Sequence, residues 1–243
     1  KEIKKVGKQR EVQSSFRKKN NTPLVSIVGY TNAGKSTLLE KITESKTYVA
    51  NELFATVDSL QRELKVDDLS EPIIISDTVG FIQNLPTTLI DSFKSTLTVV
   101  KEANLLVHVV DAASAIPEMH ISTVHEILKQ IESNVEEILV FNKIDKIDKA
   151  SLNYLQDKYN SAIFVSALKQ TNLDSLIAEI THKIFGNLIE VKLLTSPKHL
   201  NALHKFSTIK NVINKEDGLE VEVSIRNYYL NNLVEKEFVK ILS

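Results

Sequence analysis

Cysteine is absent from all 243 residues. Disulfides and thiolate metal sites are therefore excluded, and a reducing, cytoplasmic home is expected. Long apolar runs are missing too. Nothing approaches the roughly 18 residues a membrane helix needs, and the basic start lacks the apolar stretch of a signal peptide, so no membrane partner is expected. The six histidines show no metal-ligand spacing: His120 and His125 are five apart, off the i, i+4 spacing of a helical site, and His108 falls in a strand pattern as a core or edge residue. The chain opens on Lys1 rather than Met, which suggests residues upstream.

Hydrophobic residues at 42% and charged residues at 25% are ordinary for a folded globular chain, and the length allows one large or two smaller domains. Net charge is only −1, but it is unevenly spread: residues 1–19 carry eight basic side chains against Glu2 and Glu11, a local +6 that leaves −7 elsewhere. A basic arm on an acidic body suits contact with a phosphate-rich surface such as RNA, and equally suits a solvated linker.

The most informative stretch is Gly29-Tyr30-Thr31-Asn32-Ala33-Gly34-Lys35-Ser36-Thr37. It fits G-x-x-x-x-G-K-[S/T], follows the apolar run Leu24 to Val28, and leads into a helical pattern from Ser36 to Ile42, the context a phosphate-binding loop requires. Asn32, Ala33, Gly34, Lys35, Ser36 and Thr37 would surround phosphate with amides, an ammonium group and the positive end of a helix. Lys35 would reach the β and γ phosphates, and Ser36 would offer its hydroxyl to Mg²⁺.

Beyond the loop, apolar runs alternate with helical periods. Strands are expected at Glu63–Val66, Ile73–Asp77, Leu105–Val110, Ile138–Phe141 and Ile163–Val165. Helices are expected at Thr87–Glu102, Pro117–Ile131, near Leu152, and at Leu173–Phe185. Nearly all-apolar strands between helices imply an α/β fold with a mostly parallel sheet covered on both faces, its ligand at one edge. The stretch from about Glu44 to Leu60 has no clear period, and a long irregular loop in such a domain is usually functional. After Gly186 the pattern changes: strand Ile189–Leu193, helix Pro197–Phe206, strands Ile209–Ile213 and Leu219–Ile225 around an Asp217-Gly218 turn, and helix Tyr228–Leu242. The expected organisation is a basic linker over 1–21, a nucleotide-binding domain over 22–186, and a small α+β domain of β-α-β-β-α order over 187–243.

Two further motifs specify the nucleotide. Asp77-Thr78-Val79-Gly80 ends a buried-type strand, where the carboxylate can hold Mg²⁺ through water and the Gly80 amide can meet a γ-phosphate oxygen. Asn142-Lys143-Ile144-Asp145 ends another. The Asp145 carboxylate accepts hydrogen bonds only, so it suits the N1–H and amine donors of guanine and opposes the N1 acceptor of adenine; GTP and GDP are the expected ligands. Ser166-Ala167-Leu168, after the next strand, suits the loop that packs on the base. Thr56, in Leu53-Phe54-Ala55-Thr56-Val57-Asp58, is the favoured mobile threonine for Mg²⁺ and γ-phosphate, with Thr43 and Thr47 as rivals. Tyr228 and Tyr229, near Arg226, could stack on RNA or pack at a helix start.

Taken together, these strings resemble the HflX GTPases: G-Y-T-N-A-G-K-S-T-L, L-F-A-T-V-D, D-T-V-G-F-I followed by L-P and F-K-S-T-L, H-V-V-D-A and N-K-I-D occur in that family's order. The resemblance covers about Thr22 to Phe185 and is expected to extend to the C-terminal domain. One departure is Asp58-Ser59-Leu60-Gln61-Arg62, where the family usually reads D-P-T-T-R. The resemblance implies a P-loop GTPase domain with Lys35, Thr56 and Gly80 at the reaction centre and Ser36, Thr56 and Asp77 at Mg²⁺. It also implies a large-ribosomal-subunit partner, a role in splitting or rescuing stalled ribosomes, and an N-terminal domain that lies outside this sequence. A monomer is expected. Asn32 matches potassium-activated GTPases, in which the amide oxygen helps hold K⁺, and equally suits a left-handed turn. Phe81 follows Gly80 where Ras-like enzymes place a water-orienting glutamine, so slow intrinsic hydrolysis is expected. The alternatives are a GTPase of tRNA modification or ribosome assembly, and a GTP-regulated binding module that does not hydrolyse.

Overall fold

The computed structural model describes residues 22–44, 61–66, 72–77 and 98–242. These divide into two compact units, one ending at Ile177 and the other running from Ala178 onward.

In the larger unit, β1 (Leu24–Gly29) is buried at every position. It leads to α1 (Lys35–Glu44), and β2 (Gln61–Leu64), β3 (Ile73–Asp77), β4 (Leu105–Asp111), α2 (Pro117–Gln130), β5 (Glu137–Asn142), α3 (Lys149–Lys158) and β6 (Ile163–Phe164) follow; α4 (Leu173–Phe185) begins in this unit and passes after Ile177 into the smaller one. The six-stranded sheet has the order β2-β3-β1-β4-β5-β6. Only β2 runs antiparallel to its neighbour. Strands buried on both faces must be apolar throughout, as β1 and β4 are, and each fully buried Val, Leu or Ile contributes about 1.5–3 kcal/mol of transfer free energy. One core cluster joins Leu24, Val28 and Leu106 of the sheet to Val124 and Leu128 of α2 and to Val99 and Val100; residues 98–101 are helical. A second joins Val110, Phe141 and Phe164 to Leu155 of α3, with the rings of Phe141 and Phe164 stacked at 5.2 Å. No described helix is long and apolar enough to cross a membrane.

The smaller unit holds β7 (Leu188–Thr195), α5 (Leu200–Phe206), β8 (Ser207–Lys215), β9 (Gly218–Arg226), α6 (Asn227–Glu235) and β10 (Val239–Ile241). Its antiparallel sheet has the order β10-β7-β9-β8. Leu219, Val221, Val223 and Ile225 of β9 alternate inward, which is the period of a sheet with one covered face.

Four expectations are corrected. β2 begins and ends two residues earlier than Glu63–Val66, because Leu64 pairs with Ile73, the first residue of β3, and later residues have no strand opposite. Residues 197–199 form a 3₁₀ turn and the α-helix begins only at Leu200. The hairpin turn is Glu216-Asp217, because Lys215 already pairs with Gly218. The last helix stops at Glu235 instead of reaching Leu242. Glu237 turns to φ 57°, Phe238 N–H closes on the Leu233 carbonyl, and the chain re-enters the sheet as β10 beside β7. The unit is therefore β-α-β-β-α-β. The two tyrosines pack inside it: Tyr229 is buried between Phe185 and Phe206, and Tyr228 meets Phe185 edge-on. The expected helix over Thr87–Glu102 lies outside the described residues up to residue 97, as does the irregular stretch over 45–60.

Candidate functional site

Where β1 ends, the chain must turn sharply into α1 without touching the neighbouring strands. A Cβ on Gly29 would sit 2.2 Å from the Val109 carbonyl oxygen, and one on Gly34, at φ 91°, would sit 2.4 Å from Asn142 Nδ2. Only glycine fits either place. Asn32 takes φ 61°, a left-handed conformation asparagine tolerates.

Lys35 opens α1 and folds back over the loop, its Nζ donating to the carbonyls of Gly29 (3.1 Å) and Tyr30 (2.9 Å). Burial pushes its pKa down, and the charge of Asp77 pulls it back up. The ammonium is thus held at the mouth of the loop by two dipoles and one carboxylate. Ser36 Oγ donates to Asp77 Oδ2 at 2.5 Å, which brings together two hard oxygens from α1 and the end of β3. Thr37 follows on the same turn, partly exposed.

Asn142 ends β5 and is 1% exposed. Its Nδ2 donates to the Ala33 carbonyl at 3.0 Å, while its Oδ1 accepts from Lys143 N–H at 2.8 Å and Ala167 N–H at 3.0 Å. One amide thereby ties the phosphate-type loop, the Asn142-Lys143-Ile144-Asp145 turn and the Ser166-Ala167-Leu168 loop into one rim. Lys143, at φ 67°, sends its Nζ to the Asn32 carbonyl and to Asp111 Oδ2 at 2.7 Å. Asp145 stands exposed in the short turn Ile144–Lys146, and its Oδ1 accepts from Ser166 Oγ at 2.5 Å. Ser166 Oγ in turn accepts from Lys169 N–H, and Thr171 pairs with Ser166 through the backbone to close the loop. Leu168 projects into solvent at 65% exposure.

The structure thus gathers Asn32, Ala33, Gly34, Lys35, Ser36, Thr37, Asp77, Asn142, Lys143, Asp145, Ser166, Ala167 and Leu168 along the carboxyl ends of the parallel strands. Thr56, Gly80 and Phe81 lie outside the described residues, as does Thr47. The rival Thr43 is buried inside α1, its hydroxyl donating to the Leu39 carbonyl at 2.7 Å, so it is not a loop residue. Sequence reasoning gave no role to Asp111, whose signal was its place at the end of an apolar strand. It also missed the stacking of Tyr30 on His120 of α2, with centroids 4.1 Å apart, which joins the loop to that helix. Nothing in the sequence advertises that contact.

A sequence family described as "50S ribosome-binding GTPase" matches residues 24–143. GTPase HflX of Escherichia coli K12 is 35% identical over 230 residues, covering 92% of this chain and 54% of that protein. GTPase HflX of Caldanaerobacter subterraneus subsp. tengcongensis is 36% identical over 225 residues, covering 92% and 51%. Over nearly its whole length this chain is similar to the HflX GTPases. It spans about half the length of these curated relatives. Among solved structures, a GTP-binding protein of Sulfolobus solfataricus in complex with GDP superposes with a TM-score of 0.50 at 28% identity, covering 74% of this chain and 58% of that one. The family's fold and the rim built around Asn142 thus occur in one molecule.

Proposed function

We propose that this chain is the nucleotide-binding part of an HflX-type GTPase, which binds GTP, hydrolyses it to GDP and phosphate, and changes affinity for the large ribosomal subunit and its RNA with the nucleotide held. The observation that carries this reading is the triple hydrogen bond of Asn142, because it sets a phosphate-type loop and a guanine-type carboxylate on one rim.

In this reading the amides of residues 32–37 and Lys35 hold the phosphates, and Asp145 accepts the two guanine donors while Ser166, Ala167 and Leu168 border the base. The paired oxygens of Ser36 and Asp77 suit a hard cation, so Mg²⁺ would sit there, joined by Thr56. When bound, Mg²⁺ would supply positive charge against the phosphates. Lys35 adds fixed positive charge where negative charge builds on the bridging oxygen, and the Gly80 amide meets the γ-phosphate. With Phe81 unable to orient water, the isolated chain turns over slowly and a ribosomal surface speeds the reaction. Such a partner places the protein in the cytoplasm, engaged in splitting or rescuing stalled ribosomes. The family description of a 50S-binding GTPase and the relatives' name support this part of the reading.

The test is nucleotide competition and single-turnover hydrolysis, with and without large subunits. GTP should displace labelled GDP where ATP does not, Lys35→Ala should lose GTP binding or turnover without unfolding, and co-sedimentation with subunits should differ between GDP and a GTP analogue. Equal competition by ATP, or undiminished turnover in Lys35→Ala, would refute it. Potassium enters as a separate arm: Asn32→Gly keeps the left-handed turn and removes the amide, so a rate that is higher in K⁺ than Na⁺ only while Asn32 is present assigns the cation to that side chain. Equal wild-type rates in the two salts remove it.

A further inference from the structure

Away from the nucleotide rim, the central strand β4 carries one polar side chain in the middle of an apolar run. His108 is 0% exposed, and neither ring nitrogen has a hydrogen-bond partner. A buried polar group left without a partner costs on the order of a lost hydrogen bond or more, so an imidazole at this place calls for something to bind it. Two side chains lie within reach. Glu137, the first residue of β5, places its Oε2 3.5 Å from His108 Nδ1, outside hydrogen-bond geometry. His125, on α2, places its Nε2 2.7 Å from Glu137 Oε1, and its ring meets the His108 ring edge-on with centroids 5.4 Å apart. One ligand atom from each of the three lies within 4.8 Å of the others, the one such trio among the described residues.

We propose that His108, His125 and Glu137 form a binding site for a divalent transition-metal ion, zinc being the best match. Ligand atoms around a tetrahedral zinc at roughly 2.0–2.1 Å stand about 3.3 Å from one another. His125 Nε2 and His108 Nδ1 stand 2.7 and 3.5 Å from different oxygens of Glu137, and one ligand atom from each residue lies within 4.8 Å of the others, so side-chain rotations must draw the set to that spacing. Two imidazoles and a carboxylate suit zinc over magnesium or calcium, which take oxygen ligands. Burial holds the His108 pKa down, although Glu137 opposes the shift, so the ring is neutral as a ligand must be. Burial pushes the Glu137 carboxyl up, but its contacts with His108 and His125 outweigh that and leave it lowered, hence ionised. His125 is half-exposed and Glu137 partly so, which gives the ion a route in and leaves a fourth position for water. The ion would fasten α2 to β4 and β5, and His108 pairs in register with Val28, next to Gly29 of the phosphate-type loop. The site is distinct from Ser36 and Asp77 in residues and in the kind of ion it selects.

The test is zinc titration of the whole chain after chelator treatment, with Mg²⁺ and GDP present, followed by calorimetry and by the visible d–d spectrum of a cobalt-substituted sample. One equivalent should bind, cobalt should give the intense bands of a four-coordinate site, and His125→Ala or Glu137→Gln should each weaken binding at least tenfold. His199→Ala and His204→Ala, in the smaller unit, should leave it unchanged. Because His125 and Glu137 reach the surface, their variants keep the buried strand intact. Zinc binding no tighter in the wild type than in His125→Ala, or an octahedral cobalt spectrum, would overturn the proposal.

Discussion

Asn142 and His108 are buried to the same degree on adjacent strands of one sheet, yet they are treated in opposite ways. Asn142 sits at the carboxyl end of β5, where three loops converge, and its amide makes three hydrogen bonds to three different segments. His108 sits inside β4 among valines and leucines, and its two nitrogens make none. A satisfied buried amide makes neighbouring loops rigid and fixes their spacing, which is what recognition of a rigid ligand needs. An unsatisfied one costs stability wherever its partner is missing. The difference separates a network complete within the chain from one that awaits something outside it.

The largest effect should come from breaking the complete network. Asn142→Ala removes three hydrogen bonds and leaves the Ala33 carbonyl and the Ala167 amide without their partner. We expect a loss of about 2–4 kcal/mol of stability and of guanine-nucleotide affinity by at least a hundredfold, read by chemical denaturation and by nucleotide titration. Retained affinity would mean that the three loops hold their spacing without the clasp. A smaller and more selective effect is expected from Asp145→Asn, which keeps the size of the side chain and its contact with Ser166. GTP binding should fall by about a hundredfold, in the range of other buried donor and acceptor mismatches, while xanthine nucleotides, which replace a donor by an acceptor, should gain. If both nucleotides weaken equally, the carboxylate serves the loop and not the base.

How much of this was readable in the sequence follows from how local each signal is. The phosphate-type loop and the Asn142 to Asp145 turn are short strings at strand ends, and the strands announce themselves as apolar runs, so the parallel sheet and the edge where these strings gather were legible. The contacts that make the rim were not. Asn142 reaches Ala33 across 109 residues and Ala167 across 25, and only the β1-β4-β5 order brings them together. The trio of His108, His125 and Glu137 was invisible for the same reason. A search for i, i+4 pairs inspects one helix, whereas His108, His125 and Glu137 come from a strand, a helix and the next strand. In the smaller unit, Tyr228 to Leu242 reads as one helical period, and nothing local marks Glu237 as the residue that turns left-handed and releases β10.

The finest test of the contrast replaces the unsatisfied group by one that needs no partner. His108→Leu fills a comparable space with carbon, and in metal-free protein it should leave stability unchanged at neutral pH or raise it by about 1 kcal/mol, the opposite sign to Asn142→Ala. Acid should widen the gap. In the unfolded chain His108 takes up a proton near its ordinary value of 6.5, while in the fold burial holds it below that value against the pull of Glu137, with His125 and Lys35 adding positive charge nearby. The unfolded state therefore binds more protons, and the wild type loses stability as pH falls through about 6.5, down to the lowered folded value. His108→Leu lacks that component, so the difference between the two unfolding curves should grow toward acid and shrink toward neutral. Adding zinc near neutral pH should reverse the order, since only the wild type has a ligand set to gain from it. Parallel acid curves would show that His108 is already satisfied in the fold, and the contrast with Asn142 would disappear.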